Sequence, residues 1–158
     1  MRKRIHEEAD KYAEFIVLDW LFYQNYLPAC AKAYKADLPV SDMIGSYFLG
    51  LFPDQYGKPW ASANKIYTPF NVINKHWVAL EIIIDQKVIN VYDCNVYGVG
   101  KGVVDAELQP IAHWLPIHLE KCGIYENFSS TPFEIRKVPD MVHDKSGFVL
   151  LPNFYINC

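Results

Sequence analysis

Two residues whose types could do acid–base chemistry flank a predicted β-hairpin. His76 stands just before the apolar run 77–84, and Asp93 just after the run 88–92. Only Asp-Gln-Lys separates the runs, so they should pair as antiparallel strands and bring His76 close to Asp93. A carboxylate beside an imidazole fixes its tautomer and prepares a general base for a serine or cysteine nucleophile. The alternative is an ordinary strand-edge histidine and a turn-forming aspartate.

The chain before this hairpin contains two predicted helices. Residues 5–20 carry apolar side chains at near-helical spacing with charges between them, which predicts a helical N-terminal segment over residues 1–40. Ser41 and Asp42 are possible N-caps of a second, shorter helix that ends near Gly50. Both helices would pack against the strands.

One strand precedes the hairpin, and one helix and one strand follow it. The first strand is predicted over residues 65–69. Residues 105–124 have a helical pattern, which we expect to be interrupted near Pro116 and closed by Gly123. Residues 133–139 predict a strand. The combined pattern indicates an α+β fold.

Composition limits the class of protein. The 158 residues are 51% hydrophobic and 21% charged, which predicts a single globular domain over residues 1–158. The net charge is −3 and no basic stripe occurs, so nucleic acid is not an expected ligand. The longest apolar runs are about five to seven residues, far below the roughly twenty that span a bilayer. We expect an intracellular monomer, nuclear or cytoplasmic, without a membrane segment.

Cysteine and histidine spacing predicts neither a disulfide framework nor a metal site. The four cysteines show no paired spacing and are interpreted as plain thiols: Cys30, Cys94, Cys122 and Cys158. His113, His118 and Cys122 are metal-ligand types, but their offsets do not share one helical face. No metal and no cofactor are therefore expected.

The residues around the hairpin resemble a known family. The dipeptide "HW" at His76, an apolar strand, a turn and a strand closing in "VYD" at Asp93 resemble the ubiquitin-like-protein-specific cysteine proteases, the Ulp or SUMO-protease family. The segments "IYTPFN" (66–71) and "GKPW" (57–60) resemble plant, transposon-associated members. The similarity covers residues 41–150.

The resemblance implies a fold, an activity and a partner. The fold would be papain-like α+β, a mixed and largely antiparallel sheet flanked by helices. The activity would be hydrolysis after Gly-Gly of a ubiquitin-like modifier (SUMO) or its conjugates, by a thiol protease. His76 matches the general base, Asp93 the acid that orients it, and Trp77 the cover of the channel for the modifier's terminal glycines.

The family's nucleophile has no counterpart in this chain. Its cysteine stands in a Gln-x-x-x-x-Asp-Cys-Gly pattern, but Ser146 occupies the cysteine place and Asp140 the place of the oxyanion-hole glutamine. In a second alignment, "KSG" and "FVL" flank a motif "DCGV" that has been lost, and the helix that follows is truncated. Either alignment predicts an inactive copy. The alternative is a pseudo-protease that binds a modifier or another protein.

Overall fold

The computed structural model describes residues 15–19, 21–26, 42–52, 57–93, 102–139, 148–151 and 154–157. The segment 140–147 lies outside these ranges, so the predictions for Ser146 and Asp140 remain predictions from sequence. The three other predicted site residues lie within them.

A mixed sheet of five strands forms the centre of the described structure. Its strands, in their order across the sheet, are β1 (Phe15–Val17), β2 (Lys65–Val72), β3 (His76–Ile83), β4 (Val88–Tyr92) and β5 (Glu134–Lys137). The two inner pairings are antiparallel, and the two outer pairings are parallel. The predicted hairpin and the mixed α+β arrangement are both confirmed.

Helices occur at three places in the described residues: α1 (21–26), α2 (Asp42–Phe48) and α3 (Val103–Lys121), with a 3-10 turn at Trp60–Ser62. A separate antiparallel hairpin pairs β6 (Phe148–Leu151) with β7 (Phe154–Asn157). The predicted second helix is confirmed, and Gly50 follows it with a φ of 75°, a conformation that favours glycine. None of the described helices is long and apolar enough to cross a membrane.

The predicted N-terminal helical segment is wrong for residues 15–17, which form β1. This strand pairs in parallel with the start of β2, and the Phe15 ring packs edge-on against Tyr67 with 5.5 Å between centroids. Phe, Ile and Val are strong strand formers, so local preference agrees with the long-range pairing. The chain becomes helical only at residues 21–26.

The helix α3 runs without a break through Pro116, so the predicted interruption is wrong. Proline has no N–H, and the carbonyl of Ala112 therefore loses its helical hydrogen bond. The backbone N–H of Phe133 donates to that carbonyl at 2.9 Å instead. Because Leu115 is also buried in the core, packing offsets the remaining cost of the proline. Gly123 follows the helix with a φ of 65°, as a C-terminal cap should.

Alternation along β3 and β4 separates the two faces of the sheet. Even-numbered residues of β3 and odd-numbered residues of β4 join the hydrophobic core together with apolar residues of α3. His76 and Asp93 have the same parity as these core residues and lie on the same face. Trp77 and Glu81 belong to the opposite face.

Candidate active site

His76 and Asp93 meet at one end of the β3–β4 hairpin. His76 is the first residue of β3, and Asp93 directly follows β4. The register pairs Ala79 with Tyr92, so its continuation places Asp93 opposite Val78 and diagonal to His76. His76 Nε2 lies 2.6 Å from Asp93 Oδ1. The predicted contact is confirmed, and the catalytic roles of the two residues stay predictions.

The contact determines which nitrogen of His76 can act as a base. Nε2–H donates to the carboxylate, so the neutral ring carries its lone pair on Nδ1. The histidine is only 6% exposed. Such a pair can take a proton from a nucleophile at Nδ1 and stabilise the resulting imidazolium beside the carboxylate.

Trp77 points away from this face and remains accessible. It is 43% exposed, although it lies between buried neighbours in β3. The ring of Tyr23 in α1 packs edge-on against the indole with 5.8 Å between centroids. An exposed indole held by a second ring offers a rigid apolar surface to a ligand.

The positions predicted for the nucleophile and the oxyanion hole are not among the described residues. Ser146 and Asp140 lie outside them. Three cysteines also lie outside them: Cys30, Cys94 and Cys158. Cys122 follows α3 as a free thiol, and burial raises its pKa, which disfavours the reactive thiolate. Cys122 is therefore unsuited to act as the nucleophile.

His118 is packed in the core of the protein. Its Nδ1 lies 2.9 Å from the Tyr26 hydroxyl, and its ring stacks on Trp114 with 5.6 Å between centroids. Burial, with a smaller contribution from Lys121, lowers the pKa of His118 to about 4. The ring is therefore neutral at pH 7. Within the described ranges, no three His, Cys, Asp or Glu side chains are grouped to hold a metal ion.

A buried carboxylate that was not predicted from the sequence, Glu81, lies in the middle of β3. Tyr67 and Tyr92 donate hydroxyl hydrogen bonds to it at 2.6 and 2.9 Å, and Asn90 Nδ2 donates at 2.8 Å. Lys65 Nζ lies 3.6 Å from the carboxylate. Burial raises the pKa of Glu81, but these partners outweigh burial and leave the pKa lowered. A glutamate inside the apolar run "WVALEIII" was the available signal, because a buried charge needs partners.

The chain matches a protein-family model over most of its length. The model described as "Ulp1 protease family, C-terminal catalytic domain" matches residues 1–147. The chain belongs to the Ulp1 protease family. The match includes the first forty residues, which the sequence resemblance left out. The papain-like α+β fold implied by the resemblance is confirmed, whereas the likeness to plant transposon-associated members stays a prediction.

Solved structures of Ulp1 proteases are also similar to this chain. One is the C-terminal Ulp1 protease domain in complex with Smt3, the yeast ortholog of SUMO, at 18% identity and a TM-score of 0.47 over 82% of this chain and 50% of that chain. Another is the SUMO protease Ulp1 with its catalytic cysteine oxidised to a sulfonic acid. Its sequence identity is 15% and its TM-score 0.42, over 79% of this chain and 47% of that chain. The chain thus spans about half the length of these proteins. A search of curated proteins finds no match.

Proposed function

We propose that this domain recognises the Gly-Gly tail of a SUMO-type modifier and that this copy holds the tail without cleaving it. The observation that carries the proposal is the exposed Trp77 indole, which the Tyr23 ring supports in a chain of the Ulp1 family. It lies next in sequence to His76, which makes the 2.6 Å contact with Asp93. A base oriented in this way serves attack on a carbonyl group. By resemblance, that carbonyl is the one of the modifier's terminal glycine.

The complete reaction requires a nucleophile beside Nδ1 of His76. The base takes the nucleophile's proton, the nucleophile attacks the glycine carbonyl, the proton passes to the leaving amine, and water hydrolyses the acyl-enzyme. No cysteine occurs from Asp140 to Leu151, where the resemblance places the nucleophile. Ser146 has a far higher pKa than a cysteine, and Asp140 would place negative charge where an oxyanion must form. The chain therefore retains the base and its orienting acid but has no thiol nucleophile at the expected position.

Recognition of the tail does not depend on the missing thiol. Trp77 keeps its indole exposed and supported by Tyr23, so an extended peptide can pass against it. Glycine residues can lie close against the indole, because they have no side chain that would clash with it. A domain that retains Trp77 can therefore bind the tail after catalysis is lost.

Titration of 15N-labelled SUMO with the domain tests this proposal. We expect shifts in the tail resonances of SUMO, and we expect Trp77→Ala to abolish them. Leu51→Ala is the matched control, because Leu51 is another exposed apolar side chain, outside the site. SUMO without its terminal glycines should not respond. Tail resonances that stay unchanged with an excess of domain would overturn the proposal.

Hydrolysis with Ser146 as nucleophile is a second candidate function, which the intact His76–Asp93 pair favours. In that case a fluorogenic SUMO substrate should release product, and both Ser146→Ala and His76→Ala should abolish the release. Tail binding without product supports the non-cleaving function instead.

A further inference from the structure

The strand β5 forms one edge of the five-stranded sheet. The backbone N–H groups of Glu134 and Val138 donate to carbonyls on the β4 side, at 2.8 and 3.0 Å. Because the backbone groups of successive strand residues point in opposite directions, those of Ile135 and Lys137 face away from β4. They take part in no hydrogen bond with the described part of the chain. An unpaired edge of this kind can add a further strand.

The side chains along this edge carry charges of both signs. Glu134 and Arg136 lie on one face of β5, with 61% and 51% of their side chains exposed, and Arg136 Nη2 lies 2.6 Å from Glu134 Oε2. On the other face Ile135 packs against the core, and Lys137 Nζ lies 3.7 Å from Asp105 Oδ2 of α3. The accessible charges are therefore one acid and one base, two residues apart.

The order of these two charges selects one way of pairing with a second copy of the chain. A two-fold axis perpendicular to the sheet pairs the edge with itself in antiparallel direction. If Ile135 lies opposite Ile135 of the second copy, Glu134 of each copy faces Arg136 of the other, and two ion pairs form across the strands.

The neighbouring registers lack this complementarity. A register centred on Arg136 would place two guanidinium groups opposite each other, and one centred on Lys137 would place two ammonium groups opposite each other. Like charges in these positions are destabilising. Of the three registers, only the one centred on Ile135 is complementary in charge.

The backbone supports the same register but limits its length. Each Ile135 would donate its N–H to the Ile135 carbonyl of the other copy, which makes two hydrogen bonds. The Lys137 N–H would reach the carbonyl of Phe133, but the Phe133 N–H already donates to Ala112 at 2.9 Å. The pairing therefore ends at Phe133, and so short an interface is expected to form only at high concentration.

We propose that β5 pairs with β5 of a second copy of this chain, in antiparallel register about Ile135, and that the sheet continues across a weak homodimer. The backbone hydrogen bonds of Ile135 hold the strands together, and the pairs between Glu134 and Arg136 determine the register. The monomer expected from the sequence is then the form at low concentration. Trp77 lies on β3, two strands from β5, so this inference does not rest on the proposed function.

Sedimentation equilibrium from about 10 μM to about 1 mM, a range that covers weak association, tests the proposal. The mass of the wild type should rise from 18.3 kDa toward twice that value. Glu134→Arg and Arg136→Glu should each weaken association by about tenfold or more, because each places like charges opposite each other in both pairs. An equimolar mixture of the two variants should restore association, because every cross-strand pair is then opposite in charge.

Lys75→Glu is the matched control, because it changes the net charge as Arg136→Glu does but lies at an exposed position in the turn between β2 and β3. It should associate as the wild type does.

Amide hydrogen exchange identifies the edge itself. Exchange of the Ile135 N–H should slow as protein concentration rises, and Ile135→Pro, which removes this donor at an edge position, should abolish association. A mass of 18.3 kDa at every concentration would overturn the proposal. So would a dimer that persists in both charge variants, a mixture of the two that fails to associate, or an Ile135 exchange rate that does not depend on concentration.

Discussion

His76 Nε2 and Asp93 Oδ1 lie 2.6 Å apart across two strands, although seventeen residues separate the two in sequence. The antiparallel register of β3 and β4 brings them together diagonally, so the hairpin itself positions the pair. The pair can therefore persist in a copy whose nucleophile has changed.

Asp93→Asn should reverse the tautomer of His76. An asparagine amide at this position can donate to Nε2, which moves the ring proton to Nδ1 and removes the lone pair that a base needs. Two-dimensional 15N NMR of the ring nitrogens distinguishes the two tautomers. Asp85→Asn, at an exposed hairpin-turn aspartate, should leave the His76 signals unchanged. An Nε2–H tautomer that persists in Asp93→Asn would show that Asp93 does not orient the ring.

Trp60→Ala should lower mainly the stability of the domain, whereas Trp77→Ala should lower mainly its binding. Trp60 is fully buried, so its truncation should cost about 3–5 kcal/mol of unfolding free energy. Trp77 is half exposed and loses mainly its contact with Tyr23, about 1 kcal/mol. Urea denaturation measures both values. A large loss of stability in Trp77→Ala would make Trp77 a structural residue rather than a ligand-binding one.

Glu81→Gln should destabilise the protein by about 3 kcal/mol at pH 7. In the wild type three side chains donate hydrogen bonds to the Glu81 carboxylate, and the glutamine amide would present an N–H group to some of these donors in place of an acceptor. The effect should shrink in acid. The pKa of Glu81 is lowered in the folded state, so its contribution is complete above the unfolded value of 4.5 and is lost as pH falls through the folded pKa. Glu126→Gln, at an exposed position, should change stability by less than about 0.5 kcal/mol. Equal effects of the two substitutions in urea denaturation would contradict this.

His118 should make the protein less stable in acid. Its folded pKa of about 4 lies below the ordinary value of 6.5, so between these values the unfolded chain binds more protons than the folded one. Unfolding free energy should therefore fall by about 3 kcal/mol as pH decreases from 6.5 to 4. His118→Gln should flatten this dependence. An unchanged slope in His118→Gln would contradict the assignment.

The local parts of the fold could be predicted from sequence. The β3–β4 hairpin and the placement of His76 beside Asp93 depend on two apolar runs and a short turn, which act over neighbouring residues. The second helix and the Gly123 cap depend on equally local signals.

The parts of the fold that could not be predicted from sequence depend on residues distant along the chain. The strand β1 forms because Phe15 pairs with Lys65, fifty residues away in a parallel register that no local pattern indicates. The helix α3 continues past Pro116 because Phe133 supplies the missing donor. Glu81 is acceptable inside the sheet only because the register brings Tyr67 and its other donors beside it.

We propose that the chain keeps its general base and lacks the nucleophile. Hydrolysis of a fluorogenic SUMO substrate tests it in the wild type, in Ser146→Cys, and in a variant with Asp-Cys-Gly-Val inserted after Gly147. Each is compared with the same chain carrying His76→Ala. We expect no product from the wild type, product from at least one thiol variant, and loss of that product in His76→Ala. Wild-type hydrolysis, inactivity of both thiol variants, or thiol-dependent hydrolysis that survives His76→Ala would contradict it.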